Sequence, residues 1–344
     1  MANRSLTAQK HPSLSVVFTA FEYSQFENVI DLFRALDRQT LKGIEAIFVV
    51  ERDRRLYESA LVFASGLVSV KTRVIFRPTQ VGLSAARNLG IRHSTGELVA
   101  LFDDDEIPFD DWAEKMVATF SSDEIIGATG PALPLWQSPD LQWLPDELSW
   151  LWGGSLWFDS PQDKIVEIRN VGAMNCCFRK EAFSSAGYFL ERLGQWGPQS
   201  KRKWNEIPGD EVEFSLRVRE VTGKKIVYNP LARVYHKVPR AKLAPLFIVK
   251  RAYLMGYSKH MLAALYPRIN KREPTLNLEI RLVGRILSKF LPSTLRQLVH
   301  NPVLAFRRIL VVILAVICAG IGYFAYFAFP FDPRETPTEQ TWPN

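Results

Sequence analysis

The sequence predicts an α/β fold: a mostly parallel, Rossmann-like sheet flanked by helices, extended by basic amphipathic helices and one C-terminal transmembrane helix. Short apolar strands alternate with helical patterns through the first third of the 344 residues, the signature of strand–helix–strand units. An acidic cluster follows the fourth strand directly, at the carboxyl end where such sheets collect ligands. Near the other end, "ILVVILAVICAGIGYFAYFAF" (309–329) carries no charge over 21 residues, enough to cross about 30 Å of hydrocarbon as a helix.

The run "SLSVVF" (13–18) reads as a buried strand, 26–36 as a helix, and "IEAIFVVE" (44–51) as a second strand. A third strand, "TRVIFR" (72–77), leads into a helix at "GLSAARNLGIRHS" (82–94), and "ELVALF" (97–102) is the fourth. A helix at "WAEKMVATF" follows. The segment 136–157 then holds five of the nine tryptophans with little periodicity, fitting either an acceptor-side or membrane contact or plain packing under a long connection. Regular structure resumes at "VGAMNCCFRKEAFSSAGYF" and runs through "DEVEFSLRVREVTGKKIVYNPLARVYHKV".

Three cysteines in no zinc or disulfide spacing indicate a reducing compartment for the main domain, and the N-terminal stretch lacks a signal-peptide core. Charge is uneven. Residues 237–308 carry fifteen Lys and Arg against two acids, although the chain totals only +7. A basic block beside an apolar span matches anionic head groups or lipid-linked phosphates, and no nucleic-acid motif accompanies it. The helical patterns "LAPLFIVKRAYLMGYSKHMLAALY" and "LEIRLVGRILSKFL" are therefore expected on the membrane surface, basic face toward the lipid. Arg307 and Arg308 precede the span, which by the positive-inside rule places the body in the cytoplasm, anchored to the inner (plasma) membrane by a single pass. The expected divisions are a catalytic domain over 1–238, surface helices over 239–308, the span over 309–329 and a disordered tail over 330–344.

"FDDDEIP" places Asp103 and Asp105 as a D-x-D pair at a strand end. Carboxylates in that spacing suit Mg²⁺ or Mn²⁺ shared with substrate phosphates; a solvated acidic turn is the plain alternative. "PGDEVEFSLRV" sets Asp210 and Glu211 at a helix start, where acids are favoured by the dipole and where a general base could also stand.

Seven ordered blocks, "SVVFTAFEY", "FVVERD", "GLSAARNLGI", "FDDDEIP", "GAMNCCFRKEAFSSAGYF", "GDEVEFSLRV" and "VYH", resemble the family-2 glycosyltransferases of GT-A type over roughly 13–238. The resemblance implies an inverting transferase that uses a nucleoside diphosphate sugar and a divalent cation. It implies Thr19, Ala20 and Phe21 bordering the base, Arg87 near base or diphosphate, Asp103 facing ribose or metal, and Asn175 beneath the donor sugar. Asp105 and His236 become metal ligands, with Asp104 pointing away. Aligning the family's E-D-x-D with Asp210-Glu211-Val212-Glu213 makes Glu211 the base and Asp210 its substitute. Glu51-Arg52 stands where relatives carry paired aspartates; Glu51 can still accept from a uracil N–H, so a UDP-sugar is the expected donor. "RAYLMGYSKHML" resembles the tail of relatives acting on polyprenyl-phosphate-linked sugars, which implies a lipid-linked acceptor, either polyprenyl phosphate or a lipid-linked saccharide. A sugar-1-phosphate nucleotidyltransferase would need a Gly-rich basic first loop that "TAFEYSQFEN" lacks, and a catalytically silent scaffold would not need acids at both centres.

Overall fold

The computed structural model describes residues 12–335 except 142, 154–162, 173, 195–205 and 273–276. The opening units are β1 (Leu14–Ala20), α1 (Phe26–Asp37), β2 (Glu45–Glu51), α2 (Arg54–Ala64), β3 (Lys71–Arg77), α3 (Leu83–His93) and β4 (Leu98–Asp103). Apart from α2, where no element is expected from the sequence, each lies within two residues of its expectation. β1 and β2 are buried at every position, as strands covered on both faces should be. Alternate β1 side chains serve two cores. Phe18 stacks on Phe48 (centroids 4.8 Å apart) and meets Phe33 of α1. Val17 faces the opposite core, with Val49, Ile91, Phe178 and Phe214.

Beyond β4 the chain forms β5 (Glu106–Pro108), α4 (Trp112–Thr119), β6 (Ile125–Thr129), β7 (Ala132–Trp136), α5 (Ser149–Trp152), β8 (Val166–Ile168), β9 (Cys176–Arg179), α6 (Glu181–Ala186), α7 (Asp210–Thr222), β10 (Lys225–Tyr228) and β11 (Val234–Val238). Eight strands make one sheet, ordered β3-β2-β1-β4-β9-β6-β10-β8. It is parallel except for β9, antiparallel between β4 and β6, and β8, antiparallel to β10. A second sheet, β5-β11-β7, stands at the carboxyl end of β4. Its register sets His236 opposite Glu106, and the Lys237 amide donates to the Asp105 carbonyl at 2.9 Å. Those pairings bring the acids after β4 beside β11.

Then come α8 (Pro245–Leu265), α9 (Pro267–Arg272), α10 (Asn277–Arg285), a π turn over Ile286–Phe290, α11 (Leu291–Gln297) and α12 (Pro302–Ala328). Pro292, which has no N–H to give, sits just after the π turn where the regular ladder is interrupted. Asn301 caps α12 by accepting from the Leu304 amide at 3.1 Å, with Pro302 at the first helical position. The helix has 27 residues, about 40 Å at 1.5 Å per residue, and is the one described helix long and apolar enough to cross a membrane.

α8 and α12 lie against each other at two reciprocal glycines. A Cβ on Gly256 would overlap the Ala319 carbonyl, and one on Gly322 would overlap the Tyr253 carbonyl, so only hydrogen lets the backbones meet. The inner face of α12 packs Val311, Val312, Ala315 and Cys318 against Leu144, Leu148, Leu151 and Trp152. Its outer face leaves Val303, Phe306, Leu310, Ile313, Ile317 and Phe324 exposed.

The structure qualifies two expectations for this region. On α8, Lys259 is turned inward to Glu279 at 2.8 Å and Arg251 lines a cavity, while Lys250, paired with Glu206, remains exposed. The cause is that α8 is clamped between the catalytic body and α12. The first residues of the expected tail are also held, since the Arg192 guanidinium donates to the carbonyls of Asp332 (3.2 Å) and Glu335 (2.9 Å). Residues 336–344 lie outside the described ones.

Candidate active site

Two cavities adjoin at the carboxyl ends of β1, β2 and β4. The first, about 490 Å³, has Thr19, Ala20 and Phe21 on one side, Glu51 on another, and Asp103, Asp104 and Asp105 as its floor. The second, about 300 Å³, contains Asp210, Glu211 and His236, with Trp150 and Trp152 on its wall. Asp103, Lys242 and Arg251 line both.

The loop after β1 is fixed by its own hydrogen bonds. Gln25 Oε1 accepts from the Phe21 and Glu22 amides at 2.9 and 3.0 Å, while Asp53 accepts from the Tyr23 amide at 2.8 Å. Arg52, at φ 54°, pairs with Glu22 at 2.7 Å and lies over the Phe21 ring. Glu51 accepts from the Val81 amide at 3.0 Å, and its burial raises the carboxyl above its ordinary range.

The four acids after β4 have different fates. Asp103 Oδ1 receives Arg87 Nη2 at 2.8 Å; burial raises its carboxyl while Arg87 opposes the rise. Asp104 does not point away. It lines the first cavity, accepts from Gln25 (2.9 Å) and Asn28 (3.3 Å), and is pushed up to about 7 by burial and the adjacent Asp105 charge. Asp105 Oδ2 lies 3.3 Å from His236 Nε2 and 3.2 Å from Lys242 Nζ. Burial works against its ionisation, but Lys242 and His236 hold it well below the usual carboxylate range. Glu106 is fully enclosed and accepts from the Asp103 and Asn175 amides at 3.2 and 3.1 Å, a strut rather than a ligand.

At the start of α7, Arg87 Nη1 donates to Asp210 Oδ2 at 3.2 Å and closely to Glu211 Oε1. Burial lifts the Glu211 carboxyl well above its ordinary value, and the Asp210 charge adds to the rise. Ser84 also donates to Asp210, at 3.2 Å. Glu213 turns away to Arg217 and Tyr266.

Two expected donor contacts are placed differently. Arg87 is completely buried, lines neither cavity, and joins the two acidic centres through three carboxylates. Asn175 is likewise enclosed: its amide donates to the carbonyls of Ala232 (2.7 Å) and Pro131 (3.3 Å), and its oxygen accepts from Trp112 at 2.7 Å. Both are enclosed and held by protein partners, Arg87 through its two Nη branches and Asn175 through its amide and oxygen.

The expected three-ligand metal set also comes together only in part. Among the described residues, no three His, Cys, Asp or Glu side chains converge as a metal group. Arg87 has drawn the Asp103 carboxylate aside, which leaves Asp105 with His236. Those two fit a divalent cation. Asp105 Oδ1 and His236 Nδ1 are buried without hydrogen-bond partners, and one carboxylate plus one imidazole suits Mn²⁺ or Mg²⁺ when phosphate oxygens complete the shell.

Sequence reasoning missed Lys242 and Arg251. Lys242 bridges Asp105 and His236, with Nζ 2.9 Å from His236 Nε2. Arg251 faces Glu211, Asp210 and Asp103, and its buried Nε has no partner among the described residues. Both were counted into a lipid-facing block. The four-residue spacing of Phe247, Arg251 and Met255 is the signal that one α8 face meets something other than lipid.

Comparison with known proteins bears on the family and the fold. The family profile "Glycosyl transferase family 2" matches residues 15–183. The glucosyl-dolichyl phosphate glucuronosyltransferase of Haloferax volcanii is 24% identical over 313 residues, covering 90% of this chain and 95% of that protein. Succinoglycan biosynthesis protein ExoM of Rhizobium meliloti is 26% identical over 183 residues, 53% of each chain. Among solved structures, the mannosyltransferase PcManGT from Pyrobaculum calidifontis, in complex with GDP-Man and Mn²⁺, superposes with a TM-score of 0.58 at 14% identity. That likeness covers 92% of this chain and 88% of that one, and is one of fold. Residues 15–183 form a family-2 glycosyltransferase domain with a GT-A-like sheet, and the chain is a glycosyltransferase of that family.

Proposed function

We propose that the chain is an inverting transferase moving a sugar from a nucleoside diphosphate sugar to a lipid-linked acceptor at a membrane. The observation that carries this reading is the meeting of the two cavities at Asp103, Lys242 and Arg251. The first cavity takes the nucleotide, with the base between Phe21 and Glu51. The diphosphate reaches the junction, where Lys242 and Arg251 offer positive charge.

The second cavity takes the acceptor. Glu211, raised by burial, is suited to accept the acceptor hydroxyl's proton as that oxygen attacks the anomeric carbon opposite the leaving diphosphate. Arg87 fixes the carboxylate's orientation and keeps it ionisable in an enclosed site. Asp210, tied by Arg87 and Ser84, positions the start of α7. Asp105 and His236 would hold a divalent cation, which when bound supplies Lewis-acid stabilisation of the leaving diphosphate. Trp150 and Trp152 offer flat apolar faces and indole N–H groups unpartnered among the described residues, a surface suited to a saccharide.

The lipid assignment rests on α8, one face of which lines the acceptor cavity while the other lies against the apolar α12. A polyprenyl chain alongside α12 would bring its head group to that cavity. The Haloferax relative, whose name specifies a dolichyl phosphate substrate, supports this reading. Incubating the full chain with a panel of nucleoside diphosphate sugars and a membrane lipid extract tests it. A lipid gaining one sugar mass with one donor is expected; unchanged lipid with every donor contradicts it.

A further inference from the structure

We propose that Lys242 is a donor-positioning residue that exchanges places with the divalent cation: it occupies Asp105 and His236 until a nucleoside diphosphate arrives, then moves to the diphosphate. This rests on the cation reading above. Lys242 Nζ stands 3.2 Å from Asp105 Oδ2 and 2.9 Å from His236 Nε2, which are themselves 3.3 Å apart. The ammonium thus occupies the same carboxylate and imidazole side chains that would hold a cation. Two cations cannot share that space, because an ammonium within 3 Å or so of a divalent ion is strongly repelled.

An alternative berth for Lys242 lies at the junction of the two cavities. Its side chain lines both cavities, so its flexible four-carbon stem sits where a diphosphate at the junction would lie. A diphosphate gives the ammonium new oxygen partners at the moment it supplies the cation with the rest of its shell. The other charges facing Lys242 are Asp103 and Asp105 on the β4 side and His236 on β11. With Lys242 withdrawn and no cation present, Asp105 would keep only His236 beside it, next to an Asp103 carboxylate already paired to Arg87. Binding of cation and donor is therefore coupled: each makes the other's site available.

The test is Mn²⁺ binding, read from the spin-resonance signal of free Mn²⁺ for the full chain in detergent, with and without UDP or GDP. Wild-type protein is expected to bind Mn²⁺ about tenfold or more tightly when its preferred nucleoside diphosphate is present. Lys242→Met should bind Mn²⁺ alone nearly as tightly as wild type does with nucleotide, and Lys242→Arg should restore the dependence. Equal Mn²⁺ affinity of wild type and Lys242→Met without nucleotide would overturn the exchange while leaving the cation reading intact. No Mn²⁺ binding by either protein under any condition would overturn the cation reading itself. Should Lys242→Met fold poorly, wild type alone decides: a thermal midpoint raised as much by Mn²⁺ alone as by Mn²⁺ with nucleotide contradicts the exchange.

Discussion

Arg87 Nη2 lies 2.8 Å from Asp103 Oδ1, and through this pair the D-x-D strand end is tied to the start of α7. The guanidinium is fully buried, and its other branch holds Asp210 and Glu211. Removing it would leave enclosed carboxylates without their counter-charge, a change that costs about 3–5 kcal/mol in buried pairs. Arg87→Met should lower the thermal midpoint sharply and reduce the soluble yield. Wild-type stability in that variant would show that the three carboxylates are neutralised some other way.

Glu211 and Asp210 divide their roles by environment. Both touch Arg87; burial raises Glu211 well above its ordinary pKa, while Asp210 is additionally anchored by Ser84. Glu211→Gln should reduce kcat by about 10²–10⁴-fold with donor KM kept. Asp210→Asn should act mainly on stability. The reverse pattern, with Asp210→Asn collapsing kcat and Glu211→Gln sparing it, assigns the base to Asp210.

Asp105 Oδ1, at the cavity floor, is buried with no hydrogen-bond partner among the described residues. Chelation by EDTA should abolish transfer, with recovery on adding Mn²⁺ or Mg²⁺. Asp105→Asn should remove transfer while leaving the fold intact by circular dichroism. Full turnover in excess chelator would remove the cation from the account.

Gly256 and Gly322 permit the close approach of α8 and α12. Gly256→Leu forces backbones apart, and overpacking of this kind costs about 1–3 kcal/mol. Because the other face of α8 lines the acceptor cavity, acceptor KM should rise more than donor KM. Equal rises in both would mean that the helix pair carries only stability.

Much of this was legible in the residues. Apolar runs located β1, β2 and β4 because a strand buried on both faces has few other ways to be written. The approach of Asp105 to His236 followed from the ordered motifs although 130 positions intervene. The three-stranded sheet that joins them was not legible, since β5 is three residues long and carries no pattern of its own. Arg87 and Asn175 misled for one reason: a polar residue among small ones can face a ligand or be buried by close neighbours, and the choice is made by distant chain. Within the basic block a charge count says nothing about direction: Lys242, Arg251 and Lys259 turn toward acids or the cavity.

The central claim is that donor and acceptor meet at the Asp103–Lys242–Arg251 junction and that the acceptor is lipid-linked. Nucleoside diphosphate release by the purified full chain, measured with and without added lipid extract, tests this most directly. The account predicts release that depends on the lipid fraction and is lost in Glu211→Gln. Release at the same rate without lipid, or with only a water-soluble saccharide as acceptor, would contradict it.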